Sequence, residues 1–243
     1  MEMNGLTGLV VEHIFKQFDN LPVLGDLSLE VKENRMACIL GPSGCGKTTL
    51  LNIIAGVISP DSGSITGCQD KKVSYLFQET RLLKWKTVRQ NIEFVLKDHL
   101  PVAERRETVN RYMEMVGLSD FADYYPAKLS GGMKQRVAIA RAFAYPANLL
   151  LMDEPFNGLD LAMKMSFIKA FTDLWLKDRR TALFVTHNIQ EALLLGDEIF
   201  VLSNRPAHVK HHITVDIPHQ ERTLEHPQII QLENTLYNII TTA

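Results

Sequence analysis

The segment Gly41-Pro-Ser-Gly-Cys-Gly-Lys-Thr48 constrains this chain more than any other. It follows the pattern of glycine, four residues, Gly-Lys and Ser/Thr. Glycines let the backbone bend so that successive N–H groups point inward at phosphate oxygens. Met36–Leu40, just upstream, is a short apolar run that suits a buried strand. Thr48–Val57, just downstream, has helical periodicity. A strand, a glycine loop and the positive end of a helix form an anion site. Gly41, Pro42, Ser43, Gly44, Cys45 and Gly46 are its cradle. Lys47 supplies a point charge to the β- and γ-phosphates, and Thr48, with Thr49 beside it, opens the helix and offers a hydroxyl to Mg²⁺. Alone, the loop says only that a nucleoside triphosphate binds. A thiol inside it, Cys45, predicts sensitivity to thiol reagents.

The rest of the chain must supply a sheet for that loop. Val10–Phe15, Leu27–Val31, Val73–Phe77, Leu149–Met152, Ala182–Thr186 and Ile199–Leu202 read as strands. Ile58–Gly63 is a turn cluster. From Thr87 to Ala144 the pattern is helical: Val88, Ile92 and Val95 recur, then Val109, Met113 and Val116. Alternating strands and helices imply a mainly parallel sheet with covered faces. The divisions read as residues 1–86 and 146–210 for the catalytic core, 87–145 for a helical lobe and 211–243 for a short tail. The tail from His208 reads as a strand and then a helix with Pro227 near its start. Its His208, His211, His212, His219 and His226 do not suggest a metal site, because adjacent strand residues face opposite sides.

A chain of 243 residues suits one domain with a sizeable core. A formal net charge of −2 gives no reason to expect nucleic acid as the partner. Cys38, Cys45 and Cys68 fit no metal-ligand spacing, and a reduced cytosolic setting explains them. No apolar run reaches about 18 residues, so no segment is expected to span a bilayer. Met1 to Val11 lacks the basic flank and apolar stretch of a signal peptide.

Further motifs narrow the reading. In Leu129-Ser-Gly-Gly-Met-Lys-Gln-Arg136, the residues Ser130, Gly131 and Gly132 open an apolar helix and present a hydroxyl and free N–H groups at its positive end. Leu149–Glu154 is an apolar strand with Asp153 and Glu154 at its C-terminal end, where such sheets bind ligands. With these motifs the chain resembles the ATP-binding cassette (ABC) ATPases from about Val10 to Leu202. The resemblance implies an α/β fold: a P-loop NTPase core with a mainly parallel sheet and covering helices, an antiparallel β subdomain and an inserted helical lobe. It implies that Asp153 holds Mg²⁺ and that Glu154 orients or polarises the attacking water. Gln78, after one strand, would sense Mg²⁺ and water. His187, after another, would contact the γ-phosphate. Phe18 would stack on adenine. Asn157-Gly-Leu-Asp160 matches the D-loop, with Asn157 where serine is commoner. Glu33-Asn34 stands where a glycine is usual, and asparagine tolerates the left-handed turn.

The family resemblance also implies partners. Two copies would face head to tail, each giving its phosphate loop to one ATP and its Ser130–Gly132 segment to the other. Arg81–Val88, Asn91 and Val201–Pro206 look like segments of nitrate/sulfonate/taurine-type importer ATPases, with Lys84 where proline is common. That reading places the chain on the cytoplasmic face of the cell membrane, with a separate permease and, indirectly, a solute-binding protein. Trp85 would be an exposed anchor for the permease. The solute would be an oxyanion, a sulfonate or a small vitamin-like molecule. The alternative is a cassette driving another membrane machine.

Overall fold

A computed structural model of the chain describes residues 7–67 and 72–241. Cys68 and the first six residues of the segment read for a targeting signal lie outside the described residues. Two sheets share the work. In the smaller, β2 (Leu21–Lys32) and β4 (Ser62–Thr66) pair antiparallel on either side of β1 (Thr7–Phe18). In the larger, β5 (Val73–Leu76), β6 (Leu149–Asp153), β7 (Thr181–Thr186), β3 (Met36–Leu40) and β8 (Glu198–Leu202) run parallel in that order. The edge strand β9 (Val209–Thr214) pairs antiparallel with β8. Strands β3, β6, β7 and β8 are buried along their whole length, as their continuous apolar runs require.

Several boundaries differ from the sequence reading for local physical reasons. Helix α1 (Lys47–Ile54) stops before Val57, because Gly56 turns left-handed at φ 70 and Pro60 follows soon after. Strands β1 and β2 run longer than their apolar cores. Register shifts absorb the irregular residues, including His13 and Asp26 at positive φ. β2 is an edge strand, so Pro22 and Gly25 do not break it. β4 begins inside the stretch read as a turn cluster. Asn34 takes the left-handed turn at φ 58.

Only helices lie between β5 and β6: α2 (Val88–Phe94), α3 (Val102–Met115) and α4 (Gly131–Ala144), with short 3-10 turns at Ser119–Phe121 and Pro126–Lys128. Thr87 and Gln90 close a capping box at the start of α2. Helix α5 (Leu161–Lys177) and α6 (Ile189–Leu195) cover the larger sheet, and α7 (Pro227–Thr241) packs on α6.

One buried carboxylate ties the tail to the sheet. Asp197 Oδ2 accepts the Met36 amide at 2.9 Å. Its Oδ1 accepts Arg222 Nη2 at 3.1 Å and lies 2.9 Å from His219 Nε2. Arg222 also donates to the carbonyls of Gly196, Val215 and Ile217. Two of the tail histidines thereby have separate structural places. His219 serves this cluster, and His212 stacks on Phe200 with centroids 4.4 Å apart. Burial pushes the Asp197 carboxyl up, but His219, the Met36 amide and Arg222 outweigh it and hold it below the ordinary range.

Asp197→Ala leaves Arg222 buried without its carboxylate and is expected to cost about 3–5 kcal/mol at neutral pH. The stabilisation from a depressed carboxyl is present above its unfolded value, about 3.9, and fades as pH falls through the folded value. Urea unfolding of both proteins against pH checks this: the gap must narrow on that acid limb.

Candidate phosphate-binding site

The carboxyl ends of four parallel strands meet at one edge. The loops after β3, β5, β6 and β7 carry residues 41–46, Gln78, Glu154 and His187 respectively, and Asp153 is the last residue of β6. Gly44 and Gly46 take positive φ, 76° and 124°. A side chain at Gly46 would start 2.9 Å from Val23 Cγ1 and Leu24 Cδ2, so only glycine fits. That contact presses the Phe18 end of the β1–β2 hairpin against the loop, since Phe18 pairs with Leu21. Phe18 is 45% exposed, with Lys16 Nζ 5.4 Å from its ring centre.

Lys47 folds back into the loop, where its Nζ donates to the carbonyls of Gly41 at 2.8 Å and Pro42 at 2.9 Å. Thr48 Oγ1 donates to Asp153 Oδ1 at 3.1 Å. Burial raises the Asp153 carboxyl; the Thr48 bond and Lys47 oppose this, Glu154 adds to it, and the net position is above the ordinary range. A buried carboxylate so incompletely compensated, beside a hydroxyl, is a pair of hard oxygen donors that fits Mg²⁺.

Glu154 sits at φ 43, a left-handed conformation that costs a non-glycine residue about 1–3 kcal/mol. Its carboxylate has two partners. His187 Nδ1 lies 3.1 Å from Oε1, and Asn157 Nδ2 donates to Oε2 at 2.8 Å. The amide at position 157, where the sequence reading noted a departure from serine, therefore reaches Glu154. Gln78 is exposed just past β5. Arg141 of α4 donates to the carbonyls of Thr80 at 2.9 Å and Arg81 at 3.0 Å, fixing the segment that follows it.

Ser130 caps α4, accepting from the Met133 amide at 3.2 Å. Ser130 and Gly131 are exposed, and nothing lies within 4 Å of the space above Gly131. Gly132 is buried, with Met163 Sδ 2.9 Å from where its side chain would start. Asp160 caps α5 in the same way, through the Met163 amide at 2.9 Å. The start of α4 therefore leans on the start of α5. Gln135 reinforces the contact by donating to the Pro155 carbonyl.

Two findings modify the sequence reading. Cys45 is only 2% exposed, and burial pushes its thiol up more than Lys47 lowers it. The expected thiol sensitivity is therefore corrected: a buried, protonated thiol is a poor nucleophile. The other is Arg205, which in the sequence is only part of the Val201–Pro206 segment. Its Nη2 lies 3.7 Å from where a side chain on Gly44 would start. Hydrogen bonds from Ala207 to Val23 and from Gly25 to Ala207 hold that turn in place. No periodicity flags such a cation, because the chain brings it in from beyond β8.

Trp85 is 72% exposed. Its loop is held from below by the fully buried Asn91. Asn91 accepts from the Leu83 amide at 2.8 Å and donates to the carbonyls of Leu83, Lys86 and Thr87.

This arrangement has relatives. The ABC transporter family matches residues 24–157. The nitrate import ATP-binding protein NrtD of a Synechocystis species is 39% identical over 208 residues, covering 82% of this chain and 78% of its own. The taurine import ATP-binding protein TauB of Roseobacter denitrificans is 38% identical over 217 residues, covering 84% and 81%. A solved dimeric ATP-binding cassette, in a post-hydrolysis state bound to ADP and Pi, superposes with a TM-score of 0.72 at 28% identity. It covers 86% of this chain and 100% of its own. Phosphate loop, acidic strand end and capped Ser-Gly-Gly helix, with these matches, make the chain a member of the ABC transporter family and an ATP-hydrolysing cassette.

Proposed function

We propose that the chain is the energising subunit of an importer, hydrolysing MgATP between two copies of itself to drive a separate permease. The observation that carries this is the shared strand edge, where Thr48 meets Asp153 and His187 meets Glu154. The N–H groups of Gly41, Ser43, Gly44, Cys45, Gly46, Lys47, Thr48 and Thr49 and the ring of Pro42 surround the phosphates. Lys47 exchanges its two carbonyl partners for phosphate oxygens. Thr48, Asp153 and Gln78 would hold Mg²⁺, which neutralises phosphate charge when bound. Glu154 takes a proton from the attacking water, and His187 donates toward the γ-phosphate. Phe18 stacks on the adenine.

Ser130, Gly131 and Gly132 complete the ATP site of the second copy, and Asp160 lies on the surface shared by the two. The exposure of Ser130 and Gly131 at the positive end of α4 supports that role. Such a composite site links ATP binding to dimer closure, and closure biases the permease between two states. No described helix is long and apolar enough to cross a membrane, which fits a peripheral subunit on the cytoplasmic face. The nitrate and taurine import subunits among its relatives support an oxyanion or a sulfonate as the solute; a small vitamin-like solute and delivery by a solute-binding protein belong to the same reading.

Glu154→Gln is expected to lower turnover by about 10²–10⁴-fold and to trap an ATP-bound dimer, read by phosphate release and light scattering. A monomer with normal turnover would overturn the proposal. Phe18→Ala loses about 1 kcal/mol of stacking, which corresponds to a KM for ATP raised about fivefold in a steady-state assay. Trp85→Ala is expected to weaken permease binding by about 2 kcal/mol, roughly thirtyfold, in a pull-down titration. Its unfolding temperature should stay unchanged, because the ring is already in solvent.

A further inference from the structure

The loop bearing His187 is exposed: the imidazole itself is 51% accessible. Its placement on Glu154 therefore depends on what lies beneath it. The residues on either side of His187 are held by one buried residue, Glu191, only 3% exposed. Thr186 Oγ1 donates to Glu191 Oε2 at 2.6 Å and accepts from the Asn188 amide at 3.1 Å. Asn188 Oδ1 in turn accepts from the Glu191 amide at 3.0 Å. The remaining oxygen, Glu191 Oε1, pairs with Lys164 Nζ at 2.7 Å. Lys164 belongs to the first turn of α5, and its own amide donates to the carbonyl of Asp160 at 2.8 Å.

We propose that the Lys164–Glu191 ion pair is a positioning device, joining the Asn157–Asp160 segment to the loop that aims His187 at Glu154. The physics is that of a desolvated pair. A carboxylate buried to this degree cannot lose its cation without a large penalty, so the start of α5 and the His187 loop move as one body. Asn157 and His187 already meet on the same carboxylate from opposite sides. The ion pair closes the circuit behind them: Asn157, Glu154, His187, Thr186, Glu191, Lys164, Asp160. A second copy pressing on the Asn157–Asp160 segment thereby sets the geometry of His187. Neither Lys164 nor Glu191 touches the reacting atoms. The inference rests on the roles proposed above for His187, Glu154 and Asp160.

The test is turnover of the purified chain against MgATP concentration, with circular dichroism confirming folded protein at the assay temperature. Lys164→Met is expected to lower kcat about tenfold, with KM for ATP within about twofold. Lys164→Arg should recover most of that loss, because it restores the cation. Glu191→Gln keeps an acceptor for Thr186 but loses the charge, and should lower kcat similarly. In the double variant Lys164→Met/Glu191→Gln, the loss should equal that of one single variant. Wild-type kcat in Lys164→Met, no recovery with arginine, losses that multiply, or KM rising in step with the fall in kcat would each overturn the proposal. Should Glu191→Gln fail to fold, the methionine and arginine variants at position 164 decide alone. His187→Ala separates the two levels. Normal turnover there overturns the role of His187 itself, whereas an inactive His187→Ala beside a fully active Lys164→Met overturns only the coupling.

Discussion

Parallel pairing in register is the constraint from which the site follows. Leu76 pairs with Met152, Asp153 with Val185, and Leu40 with both Thr186 and Val201. Strands that run together and stop together must release their loops at one edge. Four loops far apart in sequence therefore converge, and each brings a different chemical group. A one-residue slip would turn every side chain of a strand to the opposite face and shift its loop, so the buried apolar strands protect the site as well as the core.

The polar groups near that edge are held by a few buried anchors. Asn91 supports the loop that displays Trp85, and Arg141 secures the segment after Gln78. Glu191 braces both neighbours of His187, while Asp197 fastens the tail beneath β3 and β8. Each anchor is buried or largely so, and each satisfies several partners at once. That pattern leaves Trp85, Gln78 and His187 exposed while their loops stay fixed. The left-handed backbone of Glu154 carries strain at this edge, and it lies on the residue proposed to activate water.

The β subdomain has a related part. Val23 and Leu24 pack where a side chain on Gly46 would stand, so the hairpin ending at Phe18 is registered against the phosphate loop by direct contact. Arg205 arrives at the same place from a turn bound to that hairpin. Phe18 and the residues of the phosphate loop are thus positioned by one interface.

Much of this is legible in the amino-acid sequence. A glycine loop needs particular residue types at fixed spacing, and so do a capped Ser-Gly-Gly helix and an acidic strand end. Local chemistry of that kind is written along the chain. The buried strands were readable too, because both faces are apolar. Strand β4 and the full lengths of β1 and β2 were not, since bulges and edge positions tolerate residues that read as breakers. The sequence alone determined that the chain binds a triphosphate on a parallel sheet and pointed to Glu154 and His187. Only the tertiary structure decided that Asn157 reaches Glu154, that Cys45 is shielded, and that Lys164 and Glu191 join two loops. Those facts are contacts between residues distant along the chain, and their geometry is set by packing, which no local pattern encodes.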